Sequence, residues 1–295
     1  MKYLIFILYL LLQYIFGFTF YFNTTSHNLN IIKNITNYNN SYLFIFFPGT
    51  SSKCEYYSDL FKIVDYSKLN EKKSLSLDVL CIDYKTNMNY SINYYKNKSF
   101  LDRSTNLINP LIYSLKKINF IKKKNFLNIT ENKPLWNKLI ISGHSQGGVI
   151  ATAFAKVYPL KKLVLFSSPG CQFGKRLHNW IKEPFITKRE KIYGIMSLQD
   201  TVLPWNYGNT DFNCTEKDGI YNYLKTINIS DNKMQIINIK KNYLIYTNII
   251  KDKQILLLNT PFLNGTLSHL VTCFNTKILN YLMQKLWIYV VFNNI

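Results

Sequence analysis

A chain of 295 residues with 47% hydrophobic content can bury the core of one large domain, and nothing in its composition marks a second domain. Its formal net charge of +20 is mostly lysine, because only Arg103, Arg176 and Arg189 are arginines. No arginine-rich stripe or recognisable nucleic-acid module accompanies the charge. Nucleic acid is therefore excluded from the expected partners, and the lysines are assigned to a solvated surface.

The N-terminus has the outline of a targeting segment. Met1-Lys2 gives a basic start, and residues 3–22 are almost wholly apolar. This order is typical of a secretory signal, but the run also approaches the roughly 20 residues that span a bilayer. We expect residues 1–22 to be the signal peptide of a secreted or exported protein. The alternative is an uncleaved signal anchor, with membrane association through residues 3–22.

Sequons and cysteines agree with export. Nine N-x-[ST] sequences, the first at Asn23, permit a glycoprotein. The five cysteines leave at least one unpaired in a monomer. Cys81 lies in an apolar strand-like run and is predicted to be a buried free thiol. One or two disulfides are expected among the other four, Cys54, Cys171, Cys214 and Cys273.

Strand-like and helix-like segments alternate along a domain expected over residues 41–295, behind polar residues 23–40 that predict a linker or an edge segment. Strands are predicted over 41–47, 77–84, 136–142, 161–168 and 192–197, with less clear candidates at 234–239 and 255–258. Helices are predicted over 56–69, 107–121, 147–156 and 270–290, with a short one around Trp180 and a lysine-rich loop up to about residue 133. The alternation predicts an α/β fold with a mostly parallel central sheet and helices on both faces. Catalytic groups in such a sheet belong at the carboxyl ends of the strands.

The pentapeptide Gly143-His144-Ser145-Gln146-Gly147 stands between one of these strands and the small-residue segment 147–156. A sharp strand-to-helix turn holds a serine in strained dihedrals, and glycines two residues before and after it remove side chains that would collide. The N-terminus of the following helix points its N–H groups at an oxyanion that forms beside the serine. The pattern predicts a nucleophile elbow with Ser145 as the nucleophile.

Two residues that follow later strands complete a candidate catalytic set. Asp200 comes after the strand predicted over 192–197, and His269 lies on the loop that opens the final predicted helix. The order serine, aspartate, histidine is the one expected on this kind of fold. We predict that His269 takes the Ser145 hydroxyl proton and that Asp200 orients the imidazole.

Few residues compete for these roles. His144 neighbours the serine on a tight turn, so its side chain is expected to point away from Ser145 and to be structural or pocket-shaping. Asp211 and Asp218 compete with Asp200 for the acid role, but neither directly follows a clear strand.

The oxyanion hole of such a site needs two backbone N–H donors. Gln146, the residue after the nucleophile, is the first predicted donor. The second is expected in the loop after the first clear strand, where Pro48-Gly49 makes a turn, and we assign it to Thr50.

The motifs F-F-P-G-T, I-S-G-H-S-Q-G-G and L-V-L-F-S-S-P lie within residues 42–168, and with them the chain resembles the α/β-hydrolase superfamily of esterases and lipases. Within it, the chain is most similar to a little-characterised group of exported, mainly bacterial hydrolase-like proteins with a P-G-T oxyanion loop and a G-H-S-Q-G-G elbow. That resemblance implies Ser145, Asp200 and His269 as the triad. The asparagine and lysine bias and the weakly patterned residues 211–259 depart from it.

The expected function is that of a serine esterase, lipase-like in its chemistry, which acts on small-molecule or lipid esters with no metal and no cofactor. Only a short connection separates residues 168 and 192, so no large lid is expected there. Two alternatives stay open: an acyltransferase with the same triad, and a non-catalytic binding protein on the same fold.

Overall fold

The computed structural model describes the chain in several stretches. They are residues 20–24, 27–32, 40–49, 52–65, 75–84, 108, 111–119, 125–168, 185–202, 229–240, 243–244, 252–263, 265–274 and 280–293. Most of the predicted leader and the segment around Trp180 lie outside these described residues.

Ten strands of the described residues form one sheet, and two more form a small antiparallel ribbon. The strands are β1 (Phe20–Thr24), β2 (His27–Ile32), β3 (Asn40–Phe47), β4 (Leu75–Tyr84), β5 (Leu127–Asn128), β6 (Lys133–Pro134), β7 (Leu139–His144), β8 (Lys162–Phe166), β9 (Ile192–Ser197), β10 (Met234–Lys240), β11 (Tyr243–Leu244) and β12 (Ile255–Asn259). The large sheet has the order β1-β2-β4-β3-β7-β8-β9-β12-β10-β11, and every pair from β4 to β10 in this order is parallel. The predicted mostly parallel central sheet is confirmed.

Helices cover both faces of this sheet. They are α1 (Ser58–Asp65), α2 (residues 111–119), α3 (Gln146–Val157), α4 (Gly265–Val271) and α5 (Asn280–Phe292). Side chains alternate between the faces along each strand, so Leu43 and Ile45 of β3 join the core cluster that includes α2 and α3. Phe44 and Phe46 join the opposite cluster, which includes α1 and α5. The predicted placement of helices on both faces is therefore confirmed.

The strand order decides which loops meet at one edge of the sheet. β7, β8, β9 and β12 are consecutive and parallel, so the chain leaves all four at the same edge. Ser145 follows β7, Asp200 follows β9 and His269 follows β12. The three candidate catalytic residues are thus delivered to the carboxyl edge of a single sheet.

Residues 23–40 are not a plain linker, because part of this segment extends the sheet. β1 and β2 pair as an antiparallel hairpin, and β2 pairs antiparallel with β4. Of the two predictions for this segment, the edge segment agrees with the structure. β1 begins at Phe20, so residues 20–22 of the predicted leader belong to this hairpin. The lysine-rich loop predicted up to residue 133 likewise contains the β5–β6 ribbon.

The single closing helix predicted over 270–290 is wrong, because this part of the chain forms two helices, α4 and α5. Directly after α4 the chain turns, with two N–H groups donating to the Leu270 carbonyl. Trp287 of α5 donates its indole N–H to the Thr272 carbonyl at 2.8 Å, so α5 packs back on this turn. His269 accordingly lies within α4 and not on a loop that opens one long helix.

The prediction that Cys81 is a free thiol is also wrong. Cys81 of β4 forms a disulfide with Cys54, which begins the 3₁₀ helix Cys54–Tyr57 that follows β3. Because β3 and β4 are adjacent parallel strands, a side chain of β4 that faces α1 can reach this turn. Among the cysteines that the structure describes, Cys273 is the free one, and it is buried.

Removing the Cys54–Cys81 disulfide is expected to lower the free energy of unfolding by about 3 kcal/mol, because the unfolded chain regains the entropy of an open loop. The measurement is urea unfolding of Cys54→Ala/Cys81→Ala beside the wild type. Cys273→Ala serves as the control, since it removes a buried thiol without opening a loop. A double variant with the wild-type unfolding midpoint would contradict the contribution of this link.

Candidate active site

Ser145 occupies the turn between β7 and α3 with a backbone that residues other than glycine seldom adopt. Its φ is 52° and its ψ is −123°, outside the usual helical and extended regions. Such strain is maintained by the surrounding structure and is concentrated at functional sites. The Ser145 N–H donates to the Phe166 carbonyl at 3.1 Å, so the pairing of β7 with β8 extends to the serine itself.

The two glycines around Ser145 allow close packing of backbone. A Cβ atom on Gly147 would lie 2.0 Å from the Phe47 carbonyl oxygen, and a Cβ on Gly143 would lie 2.3 Å from backbone atoms of Gly147. Contacts under 3.0 Å are essentially never seen for a Cβ atom, and backbone cannot move aside as the end of a side chain can. A side chain at either glycine would therefore collide with backbone, as the motif predicts.

Asp200 and His269 form a buried pair. His269 Nδ1 lies 2.7 Å from Asp200 Oδ2, and the two side chains are 7% and 0% exposed. The other carboxylate oxygen of Asp200 accepts the Val202 N–H at 2.9 Å, which orients the carboxylate. Because the carboxylate accepts at Nδ1, the neutral imidazole has its proton on Nδ1 and an unprotonated Nε2.

The packing of α4 determines where His269 lies. A Cβ on Gly265 would lie 2.0 Å from Thr201 Oγ1, so α4 begins in contact with the loop after β9. One turn later, the His269 ring lies 4.6 Å from the ring of His144, the residue before the nucleophile. Within the described residues, no hydrogen bond joins Ser145 Oγ to His269, and catalytic hydrogen bonds often tighten only when substrate binds. The structure thus pairs the acid with the histidine and places that histidine beside the elbow.

His144 directs both ring nitrogens to residues other than Ser145. Its Nδ1 lies 3.0 Å from Tyr57 Oη, and its Nε2 lies 3.1 Å from the His269 carbonyl oxygen. A carbonyl can only accept, so Nε2 has the proton and, in the neutral ring, Nδ1 accepts the Tyr57 hydroxyl proton. These contacts agree with the structural role predicted for His144.

Burial lowers the pKa of His144 well below its usual value, chiefly because the charged imidazole would lose its hydration. The neighbouring His269 lowers this pKa further, whereas the hydrogen bond to the His269 carbonyl opposes the shift. The His144 ring is therefore neutral at physiological pH, and its two hydrogen bonds are compatible with that state.

The candidate oxyanion donors lie where α3 begins and where the chain leaves β3. Gln146 is the first residue of α3, and amides of the first helical turn point out along the helix axis. Thr50 lies outside the described residues. The N–H of Gly49 donates to Tyr57 Oη at 2.8 Å, so the second donor is expected further along this loop. Thr50 stays the predicted donor.

Tyr57 is a residue of this site that the sequence did not single out. It is one of 23 tyrosines, in a chain whose high aromatic content hides any single one of them. The structure buries Tyr57 completely and places its hydroxyl between Gly49 and His144. The one available signal was its position shortly after the P-G-T motif, in a turn that begins with a cysteine.

The stretches that the structure describes contain no group of three or more His, Cys, Asp or Glu side chains placed to hold a metal ion. Within the candidate site, His144 uses both ring nitrogens in hydrogen bonds, and Asp200 is paired with His269.

No helix within those stretches has the length and apolarity of a membrane span.

Strand order and site together define the class of the protein. An elbow serine after β7, an acid after β9 and a histidine after β12 lie at the carboxyl edge of a parallel sheet that has helices on both faces. This is the arrangement of the α/β-hydrolase fold. The chain has that fold, as its sequence predicted.

Several solved structures are similar to this chain. A thermophilic esterase, Est2, from Thermogutta terrifontis matches with a TM-score of 0.48 and 11% identity, over 94% of this chain and 93% of that protein. S-formylglutathione hydrolase FrmB from Staphylococcus aureus matches with a TM-score of 0.48 and 13% identity, over 93% of this chain and 96% of that protein. A thermostable esterase matches 92% of this chain with a TM-score of 0.45 and 14% identity, and the chain spans 64% of that esterase. No protein-family model and no curated protein matches the chain.

His144→Gln is expected to reduce the loss of stability at acid pH. Below about pH 6.5 the unfolded chain binds a proton at His144, whereas the lowered pKa keeps the folded ring neutral. The unfolded state then binds more protons, so this group lowers the unfolding free energy as the pH falls, by at most about 1.4 kcal/mol per pH unit. The titratable groups that face His144 are Tyr57 and His269, with Asp200 behind His269.

The measurement is urea unfolding of the wild type and His144→Gln between about pH 7.5 and pH 5.5. Glutamine does not titrate, so the variant should lose less stability over this range. His27→Gln, in strand β2 of the N-terminal hairpin, controls for the loss of a histidine elsewhere. Equal slopes for the wild type and His144→Gln would contradict the neutral state of the folded ring.

Proposed function

We propose that this protein is a serine hydrolase of carboxylic esters that works through an acyl-enzyme on Ser145. The observation that supports it most directly is the buried hydrogen-bonded pair of Asp200 and His269, 2.7 Å apart, beside the strained turn that contains the serine. A carboxylate at Nδ1 gives an imidazole of defined tautomer and stabilises its charged form. A base of this kind next to a serine suits acyl transfer to the serine oxygen.

In the proposed reaction, His269 Nε2 takes the hydroxyl proton while Ser145 Oγ attacks the carbonyl carbon of the ester. The oxyanion that forms accepts hydrogen bonds from the backbone N–H groups of Gln146 and Thr50. The tetrahedral intermediate then expels the alcohol, which leaves with the proton from His269. Water attacks the acyl-enzyme by the same route and releases the carboxylic acid and Ser145.

The proposed substrates are small-molecule or lipid esters. Every step above uses a side chain or a backbone amide of this chain, so the scheme draws on no metal or cofactor. Charge develops on the imidazole as the serine attacks, and Asp200 is the group that stabilises it.

Export is part of the proposal. Disulfides persist in oxidising compartments, so the Cys54–Cys81 link supports it alongside the apolar N-terminus and the sequons. An uncleaved anchor over residues 3–22 would hold the same enzyme on a membrane. The N-terminal sequence of the mature protein distinguishes the two forms.

Ser145→Ala is expected to abolish labelling by a fluorophosphonate probe and to reduce ester turnover to background. The probe phosphorus bonds to an activated serine oxygen and expels fluoride, so labelling reports the nucleophile directly. Asp200→Asn is expected to lower kcat by roughly 10³- to 10⁴-fold, because an amide favours the wrong imidazole tautomer. The measurements are in-gel labelling and hydrolysis of p-nitrophenyl acetate.

Ser142→Ala is the matched control. Ser142 lies on β7 shortly before Ser145, and its hydroxyl oxygen is buried without a hydrogen-bond partner among the described residues. Alanine there removes an oxygen from the same strand and leaves the proposed triad intact, so labelling and turnover should persist. A folded wild-type protein that is neither labelled nor active on esters would contradict the proposal. Transfer of the acyl group to an added alcohol in preference to water would instead identify an acyltransferase.

A further inference from the structure

We propose that Tyr57 and His144 are positioning residues that hold the loop after β3 and the base His269 in a fixed relation across the elbow. They do so through a continuous chain of hydrogen bonds from the Gly49 N–H to the His269 carbonyl. The inference rests on the proposed ester hydrolysis. It adds two residues that act through other groups and not on the substrate itself.

The position of the Tyr57 ring is fixed by packing and by a covalent link. The side chain is fully buried, with the Phe46 ring 4.6 Å away and the Phe274 ring 4.7 Å away, between centroids. Tyr57 ends the 3₁₀ helix that begins at Cys54, and the disulfide of Cys54 ties this helix to β4. These contacts hold the Tyr57 hydroxyl at the carboxyl edge of the sheet.

The direction of each hydrogen bond follows from the groups at the two ends of the chain. The Gly49 N–H can only donate, and it does so to Tyr57 Oη at 2.8 Å. The His269 carbonyl can only accept, and it does so from His144 Nε2 at 3.1 Å. Neutral His144 therefore has no proton on Nδ1, and Tyr57 donates its hydroxyl proton there at 3.0 Å. Desolvation lowers the pKa of His144 and so maintains this single arrangement.

The His269 carbonyl extends the chain to a further loop. The Thr272 hydroxyl donates to this carbonyl at 3.3 Å and lies 2.9 Å from Ser167 Oγ, in the loop after β8. The side chains of Tyr57, His144, Thr272 and Ser167 are all buried. Loops that follow β3, β7, β8 and β12 are thus joined by polar groups that water does not reach.

The Tyr57 hydroxyl would act on catalysis through the Gly49 amide. A buried N–H that loses its acceptor is unfavourable, so the loop would move to find another partner. Thr50, the proposed oxyanion donor, follows Gly49 directly in the chain. A displacement of about 1 Å in a positioning group can lower a rate by about 10²-fold. Removal of the hydroxyl should therefore lower kcat and leave KM for a small ester nearly unchanged.

The first test compares Tyr57→Phe with Tyr289→Phe in the hydrolysis of p-nitrophenyl acetate. Tyr289 is the matched control, because its hydroxyl also accepts from an N–H and donates to a carbonyl, both of Lys253, at 3.0 Å and 2.8 Å. We expect Tyr57→Phe to lower kcat by about 10- to 100-fold with KM within about twofold. Tyr289→Phe should keep the wild-type kcat. Equal kcat in the two variants, or equal losses that follow the fall in Tm, would overturn the inference.

The second test separates the hydrogen bonds of His144 from its volume. The amide of glutamine offers a donor and an acceptor, as neutral imidazole does, whereas phenylalanine fills the space with neither. We expect His144→Gln to retain most of the wild-type kcat and His144→Phe to lose about as much as Tyr57→Phe. The same kcat in both His144 variants would overturn the role of the hydrogen-bonded chain.

These experiments distinguish a failure of the positioning role from a failure of the proposed function. Wild-type protein with neither turnover nor fluorophosphonate labelling would overturn the proposed function, and the positioning role with it. If the wild type is active and both Tyr57→Phe and His144→Phe have the same kcat as the wild type, the positioning role alone is overturned.

Discussion

The start of α3 lies so close to the ends of β3 and β7 that only backbone fits between them. A Cβ on Gly147 would lie 2.0 Å from the Phe47 carbonyl oxygen at the end of β3, and a Cβ on Gly143 of β7 would lie 2.3 Å from backbone atoms of Gly147. The chain must therefore change direction within one residue, and Ser145 does so at a φ of 52°. The position of the serine and the direction of the N-terminus of α3 both follow from this contact.

Close packing at this edge buries polar groups, and each of them then needs a partner. As whole residues, His144 and His269 are 2% and 5% exposed, and their rings are 4.6 Å apart, yet their partners differ in kind. His269 has the Asp200 carboxylate, whereas His144 has a phenol and a carbonyl. A buried imidazole can gain a proton at low cost only beside a negative charge. Of the two neighbouring histidines, His269 is the one beside a carboxylate, as the proposed base requires, whereas His144 stays neutral as part of the framework.

Local sequence patterns predicted the features that depend on residues close together in the chain, such as the positions of the strands. Apolar runs gave β9 and β12 within one residue of their ends, and the order of elements placed Asp200 and His269 after parallel strands. Contacts between distant segments were missed. The Tyr57–His144 hydrogen bond joins residues 87 positions apart, and an apolar strand position suits a disulfide as well as a thiol. The apolar sequence pattern also continues past the end of α4, so it did not reveal that the chain turns there and that the turn packs against Trp287.

The wrong prediction for Cys81 and the missed role of Tyr57 have one physical origin. Cys54 and Tyr57 are the first and last residues of a 3₁₀ helix, in which side chains three positions apart lie over one another. Both therefore face the sheet, where one bonds covalently to β4 and the other donates a hydrogen bond to His144. An oxyanion donor stabilises a transition state only if it is in place before the charge develops. The loop that would supply this donor to the proposed enzyme is held at both ends, by β3 and by a turn that is cross-linked to β4. A rigid loop at this point is what the proposed chemistry requires.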